Sequence, residues 1–81
     1  MKDALDFIVK SLVDTPEKVH IGETTDDLGQ TILTIAVDPS DMGKVIGKSG
    51  KIIKAVRTLI KIIATKNQRR IQIELLEASK D

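Results

Sequence analysis

A short bend between two helical patterns constrains this chain more than any other feature of its sequence. Gly47 and Gly50 enclose Lys48 and Ser49, and apolar residues at helical spacing lie on both sides of these four residues. Glycine lets the main chain turn tightly and lets a ligand approach the backbone closely. The second helix begins at the bend, so its free N–H groups and the positive end of its dipole point there. The pattern therefore predicts a helix–bend–helix unit suited to an anionic ligand.

Charge is distributed unevenly along the 81 residues, although the formal net charge is only +1. Residues 1–41 contain nine acidic and three basic side chains, whereas residues 42–73 contain nine basic side chains and no acidic one. Such a stretch produces a local positive field whatever the total charge. We expect this part of the chain to meet an anionic partner, the alternative being a solvated basic helix.

Composition excludes several classes of protein. The chain has no cysteine and one histidine, so we expect no disulfide, no metal site and no cofactor. Phe7 is the only aromatic residue, which argues against the RRM, OB and cold-shock folds that stack bases on exposed rings. No apolar run reaches the roughly 20 residues of a membrane span, and no secretory signal is evident, so we expect a cytoplasmic protein without membrane contact. No nucleophile–base pair suggests catalysis, so the sequence predicts a protein that is not an enzyme.

The first half of the chain predicts a helix followed by a β-hairpin. Apolar residues over 3–13 recur at helical spacing, and Thr15-Pro16 ends that pattern. An alternating segment at 18–24 and a β-branched, mostly apolar segment at 31–37 are separated by a turn that contains a glycine, as expected for two paired strands.

The second half predicts two helices and a final strand. A short helix starts at Asp38, whose side chain can cap it, and stops by Gly47. A longer helix runs from about Gly50 to Thr65, and residues 70–75 alternate as a strand. The order α-β-β-α-α-β predicts an α+β fold, a three-stranded sheet with helices packed on one face, in one domain over residues 1–81.

Helical periodicity assigns faces to the long helix. Its buried stripe is predicted to be Ile52, Val56, Leu59 and Ile63, with Ile53 and Ile60 beside it. The opposite face carries Lys54, Arg57 and Lys61, and a flank between the two faces carries Ala55 and Ile62. We expect the cations to steer an anionic ligand at long range and the flank to be a dimer contact. Elsewhere, Phe7 and Met42 are predicted to pack internally and His20 to be an exposed strand residue.

Two simpler interpretations of the bend fit less well. A plain turn between helices explains the glycines but not the surrounding lysines. Gly47-Lys48-Ser49 also looks like the end of a nucleotide-binding P-loop, but the first glycine of that motif would have to stand where Met42 is found. The bend also follows a helix, whereas a P-loop follows a strand, so the P-loop interpretation fits this sequence poorly.

The surrounding residues carry a resemblance to a known family. Val45 through Ile53 matches the KH-domain signature V-I-G-x-x-G-x-x-I without a gap, and KH domains clamp about four nucleotides of a single strand with this GxxG loop. The element order resembles the type II, or prokaryotic, KH fold. Nearly the whole chain is similar to the KhpA (YlqC) family of bacterial single-KH proteins.

The resemblance implies a function in RNA biology. It implies binding of single-stranded RNA, a role as an RNA chaperone or post-transcriptional regulator, and pairing with a larger KH protein of the KhpB type, also called Jag or EloR. It also implies a link to peptidoglycan synthesis and cell-length control, and homodimers are known in the family. The competing interpretation is a dimerisation module with little RNA affinity of its own, and a small nucleotide hydrolase is a distant third.

Candidate RNA-binding residues fall into three groups around the bend. Gly47 and Gly50 permit close approach, and hydroxyl and ammonium groups meet phosphate oxygens. Aliphatic side chains next to the bend provide a floor for bases. The predicted phosphate contacts are Lys44, Lys48, Ser49 and Lys51, and the predicted floor is Val45, Ile46 and Ile53.

Overall fold

A computed structural model describes residues 1–76 of the protein. The predicted domain extends to residue 81, and residues 77–81 lie outside the described part. The main elements are α1 (Lys2–Leu12), β1 (His20–Thr25), β2 (Thr31–Ala36), α2 (Met42–Ile46), α3 (Lys51–Lys66) and β3 (Ile71–Leu75). Short 3-10 turns occupy Pro16–Lys18, Pro39–Asp41 and Lys48–Gly50. The predicted element order is confirmed.

The boundary of the first strand differs from the prediction. Lys18 was expected to open the strand, but its N–H bonds to the carbonyl oxygen of Thr15, and that of Val19 bonds to Pro16. Proline fixes its own φ near the helical value, and this favours a turn at that point. The strand therefore starts at His20.

The sheet has the order β1-β2-β3. β1 and β2 are antiparallel, with Ile21 opposite Ile35. β2 and β3 are parallel, with Leu33 opposite Ile73, and the chain passes between them through α2 and α3. Because parallel strands need a long crossover, this topology brings the bend to one end of the sheet and the loop after α3 to the other.

One face of the sheet forms the core. Its buried side chains meet buried side chains from the helices, so all three helices lie on the same side of the sheet, as predicted. The cluster joins Leu33, Ile35, Ile71 and Ile73 of the sheet to Leu5 and Val9 of α1, Val45 of α2, and Val56 and Ile60 of α3.

The buried stripe of α3 is rotated from the predicted one. Its buried residues are Ile53, Val56, Ile60 and Ala64, whereas Leu59 is 51% exposed, so the placement of Leu59 in the core is wrong. The apolar residues of α3 cover more than one stripe of the helix, so periodicity alone does not show which of them are buried. The elements that pack against α3 decide this.

Phe7 is 73% exposed, and the expectation that it packs internally is also wrong. Met42 packs against the core and His20 is exposed, as predicted.

Asp41 links the start of α2 to the loop after α1. Its side chain is 1% exposed, and its carboxylate accepts hydrogen bonds from the N–H groups of Asp14 at 3.3 Å and Thr15 at 3.0 Å. The sequence pattern indicates for Asp41 only a place at the positive end of a helix dipole. Asp38 does act as a cap, since its carboxylate accepts from the Ser40 N–H at 2.9 Å. The Ser40 hydroxyl, and to a smaller degree this N–H, hold the pKa of Asp38 below its ordinary value.

We expect Asp41→Ala to destabilise the protein by about 1–3 kcal/mol, because two N–H groups in a partly buried loop lose their acceptor. The measurement is urea unfolding followed by circular dichroism. Asp27→Ala, at an exposed turn position, is the control and should change little. Equal unfolding midpoints for the two variants would contradict a structural role for Asp41.

None of the helices within residues 1–76 is long and apolar enough to cross a membrane.

Candidate nucleic-acid interface

The bend between α2 and α3 has an unusual backbone. Gly47 has φ 77° and ψ 172°, Ser49 has φ 57°, and Gly50 has φ 73°. The Gly47 N–H closes α2 on the carbonyl of Gly43 at 2.8 Å, and the Gly50 N–H bonds back to Gly47 at 3.1 Å. Three of the four residues thus have positive φ, which glycine adopts readily and serine only at a cost of about 1–2 kcal/mol.

The bend is accessible from solvent. Lys48 and Ser49 are exposed at its tip, and Gly47 and Gly50 are half-buried. Gly50 is the N-cap of α3 and no side chain caps that helix. The N–H of Lys51 bonds to the carbonyl oxygen of Lys48, so the next N–H groups of α3, together with the helix dipole, are the ones that favour an anion. A cation, a hydroxyl and backbone donors converge at this one exposed point.

Lys44 differs from the other lysines around the bend. Its ammonium pairs with the carboxylate of Asp14 and lies 3.7 Å from that of Asp41. The hydrogen bond to Asp14 raises the pKa of Lys44 above its ordinary value. A phosphate at Lys44 has to compete with these carboxylates. Lys48 and Lys51 have no salt bridge within residues 1–76, so their charge is available to a ligand.

The three apolar residues predicted as a floor are not equally accessible. Val45 is completely buried and Ile53 is 8% exposed, and both belong to the core. Ile46 is half-buried and packs against the same core from outside. Ile46 is therefore the one of the three that offers a surface to a ligand, while Val45 and Ile53 support it from beneath.

The basic face of α3 borders the edge of the sheet. Lys54, Arg57 and Lys61 are exposed, as predicted. Arg57 and Lys61 also line a cavity of about 440 Å³ with residues at the start of β3 and before β2. Periodicity in α3 alone could not reveal this, because the cavity depends on how β3 is placed beside the helix. Its remaining lining residues are Gln30, Ile71, Gln72 and Ile73.

A second face of α3 is apolar and exposed. Ile62 is 52% exposed and Ala55 is exposed, as the flank prediction required. Leu59 follows Ala55 by four residues and precedes Ile62 by three, so it lies on the same face of the helix. A cavity of about 460 Å³ opens at Ile62, bordered by Thr58, Lys61, Thr65 and Lys66. Within residues 1–76, no group of three or more His, Cys, Asp and Glu side chains could hold a metal ion.

Family comparison agrees with this geometry. The model of the KhpA/KhpB KH domain matches residues 2–75. This chain belongs to the KhpA/KhpB KH-domain family. The fold is accordingly the KH-like α+β fold that the sequence predicted, and the KhpA family resemblance is confirmed.

Relatives within the family are similar over almost their full length. The RNA-binding protein KhpA of Clostridium perfringens is 47% identical over 78 residues, which are 94% of this chain and all of that protein. The RNA-binding protein KhpA of Clostridium acetobutylicum is 49% identical over 76 residues, again 94% of this chain and all of that protein. The KhpA of Listeria monocytogenes is 43% identical over 77 residues, 95% of this chain and all of that protein. The names of these relatives describe binding, in agreement with the prediction that the chain is not an enzyme. No solved structure matches the chain.

Proposed function

We propose that this chain binds single-stranded RNA through the bend Gly47–Gly50. The observation that carries the proposal is an exposed positive-φ bend with a free lysine, at the uncapped start of α3. Relatives that are 43–49% identical over nearly the whole chain are named RNA-binding proteins, which supports the same class of ligand here.

Each residue at the bend has a distinct task in this proposal. Lys48, Ser49 and Lys51 contact phosphate oxygens together with the first N–H groups of α3. Ile46 supplies the apolar surface for a base, supported by Val45 and Ile53. Lys44 contributes when a phosphate displaces its ion pair with Asp14, so we expect its contribution to be smaller.

The salt dependence of affinity tests this function. If about four phosphates are held, log K for a short single strand should fall against log salt with a slope of about −3. Fluorescence anisotropy with a labelled oligouridine over a range of salt concentrations gives the slope. An RNA affinity no greater than that for an acidic polypeptide would contradict the proposal.

The wider role is proposed from the family resemblance. A single module without aromatic rings binds weakly, and pairing with a second KH protein raises affinity through effective concentration. We propose a KhpB (Jag/EloR)-type partner, since one family model spans KhpA and KhpB KH domains. In this proposal the pair acts in the cytoplasm as an RNA chaperone or regulator, with a link to cell-wall synthesis and cell length.

Self-association is a second candidate function, favoured by the apolar face of α3. Ala55, Leu59 and Ile62 form a surface that a second copy can cover, and burying apolar area is favourable. The same face is available to a KH partner of different sequence. A dimer formed through this face adjoins Lys61, which borders the cavity at Ile62, whereas Arg57 lies on the side of α3 next to β3.

We expect Ile62→Glu to convert a homodimer to a monomer, because a carboxylate buried between copies lacks a partner. Multi-angle light scattering gives the mass directly. Phe7→Glu, at an exposed apolar position on α1, is the matched control and should leave the mass unchanged. An unaltered oligomeric state in Ile62→Glu removes Ile62 from the interface, and a monomeric parent protein refutes the homodimer.

A further inference from the structure

Lys44 lies next to the bend but is directed toward another part of the molecule. It belongs to the last turn of α2 and precedes Gly47 by three residues, which corresponds to about 4.5 Å along the helix axis. The Gly47 N–H closes that turn on the carbonyl of Gly43. Lysine carries its ammonium on a flexible four-carbon stem with three rotatable donors. The ammonium of Lys44 can therefore turn toward a phosphate at the bend.

Two carboxylates hold Lys44 in the structure. Its ammonium donates a hydrogen bond to Oδ2 of Asp14 and lies 3.7 Å from Oδ1 of Asp41. Lys48 and Lys51, the other two lysines at the bend, have no salt bridge within residues 1–76. Lys44 therefore enters an encounter with an anion with its charge already paired, whereas Lys48 and Lys51 do not.

The two carboxylates differ in what else they bind. Asp41 is buried, and its carboxylate accepts hydrogen bonds from the N–H groups of Asp14 and Thr15. The side chain of Asp14 is 76% exposed, and within residues 1–76 its carboxylate accepts a hydrogen bond only from Lys44. Asp41 thus fixes the backbone that places Asp14 beside Lys44, and Asp14 supplies a charge that can be removed without loss of a structural contact.

We infer that Asp14 limits the affinity of the bend for single-stranded RNA, because its carboxylate competes with phosphate for the ammonium of Lys44. The inference rests on the proposed function, since it needs a strand that is held at Gly47–Gly50. Exposed ion pairs are weak, so a phosphate can replace the carboxylate, but the strand loses part of what Lys44 would otherwise contribute. Asp14 is a positioning residue, which acts on the ligand through Lys44.

Asp14→Asn should strengthen RNA binding, which is the opposite of the effect expected for substitutions of the lysines at the bend. We expect affinity for a short labelled oligouridine to rise about threefold, as suits the modest strength of an exposed ion pair. The slope of log K against log salt should become more negative by about 0.7, because one more phosphate is neutralised. Fluorescence anisotropy over a range of salt concentrations measures both quantities. Asparagine keeps the backbone N–H that bonds to Asp41, so the melting temperature should not change.

Asp6→Asn is the matched control for the change in charge. Asp6 pairs with Lys10 at 3.0 Å on α1, so this variant also removes one carboxylate from an exposed ion pair. The carboxylates that act on Lys44 are those of Asp14 and Asp41. We expect Asp6→Asn to change RNA affinity by less than about 1.5-fold, because salt screens exposed charges that lie far from the ligand.

A second comparison separates competition for Lys44 from simple repulsion of phosphate. When Asp14→Asn is combined with Lys44→Gln, the ammonium that the carboxylate would have released is absent. The threefold gain should then fall below about 1.5-fold, because only the weak repulsion between exposed charges remains. An undiminished gain on the Lys44→Gln background would mean that Asp14 acts on the phosphates directly, and the inference would be wrong.

The remaining outcomes distinguish this inference from the proposed function. If Asp14→Asn does not strengthen binding, or gains no more than Asp6→Asn, while Lys48→Asp/Ser49→Asp still abolishes binding, the role of Asp14 is wrong and the bend retains its function. If Lys48→Asp/Ser49→Asp keeps full affinity, the function proposed for the bend is wrong and the inference about Asp14 is wrong with it.

Discussion

Lys48→Asp/Ser49→Asp should reduce affinity for single-stranded RNA by about 100-fold. Hydrogen bonds to charged groups each contribute about 1.5–3 kcal/mol, and two such contacts at the lower end of that range, as suits an exposed bend, correspond to about two orders of magnitude. The new carboxylates also repel phosphates at the point where the backbone donors of α3 converge. Anisotropy titration at a fixed salt concentration measures the loss.

The fold should survive that double substitution. Both side chains are exposed, and Asp tolerates the left-handed conformation that Ser49 adopts at φ 57°. We expect the melting temperature to change by less than about 4 °C, equivalent to less than about 1 kcal/mol in a domain of this size.

A matched control separates this site from total charge. Lys2→Asp/Ser11→Asp makes the same change in net charge on α1, in the acidic half of the chain. It should retain most of the RNA affinity. Loss of affinity in this control to the same degree would mean that overall charge, rather than the bend, governs binding. Full affinity in the Lys48→Asp/Ser49→Asp variant would refute the assignment of the bend.

Gly47→Ala should destabilise the protein far more than Gly50→Ala. A Cβ atom at Gly47 would lie 2.5 Å from Cγ1 and 2.7 Å from Cβ of Ile52, whereas a Cβ at Gly50 has no heavy atom within 4 Å. Gly47 also combines φ 77° with ψ 172°, a region that is essentially restricted to glycine and costs other residues about 1–3 kcal/mol. Gly50, with φ 73° and ψ 16°, lies in the left-handed region that costs about 1–2 kcal/mol.

Chemical denaturation of the two variants measures this difference. We expect Gly47→Ala to lower the free energy of unfolding by about 3 kcal/mol or more, since strain adds to the clash with Ile52. A domain of 81 residues has a total stability of about 4–12 kcal/mol, so this variant approaches marginal stability. Gly50→Ala serves as the matched control, and equal losses in the two variants would contradict the different roles that the backbone assigns to the two glycines.

The two glycines therefore contribute to binding in different ways. Gly47 lets Ile52 pack against the backbone where α2 ends, and this fixes the direction in which the bend leaves the core. Gly50 provides the positive φ that starts α3 and places no side chain at the N-terminal end of that helix. The RNA affinity of Gly50→Ala can be measured on a folded protein. A loss of affinity in this variant would then report on the steric openness of the bend and not on folding.

Periodicity and turn chemistry were sufficient for the element order and for the position of the bend. Local features act over a few residues, so their consequences can be inferred without long-range contacts. These features are the alternation over 70–75, the β-branched residues over 31–37, the proline at position 16 and the glycines at 47 and 50. The same local reasoning placed Asp38 as a cap and Ala55 and Ile62 on an exposed flank. It placed Leu59 and Phe7 incorrectly, because burial depends on which neighbours cover a helix and not on the helix alone.

Long-range contacts account for the remaining features. The bond from Asp41 to the loop after α1 and the pairing of Lys44 with Asp14 join residues that are 26–30 positions apart. The hydrogen bond from Thr31 to Arg70, which lies where the pairing of β2 with β3 begins, joins residues 39 positions apart. None of these contacts can be inferred from the spacing of residues along the chain, because hydrogen bonds and ion pairs between distant segments depend on how the sheet packs against its helices.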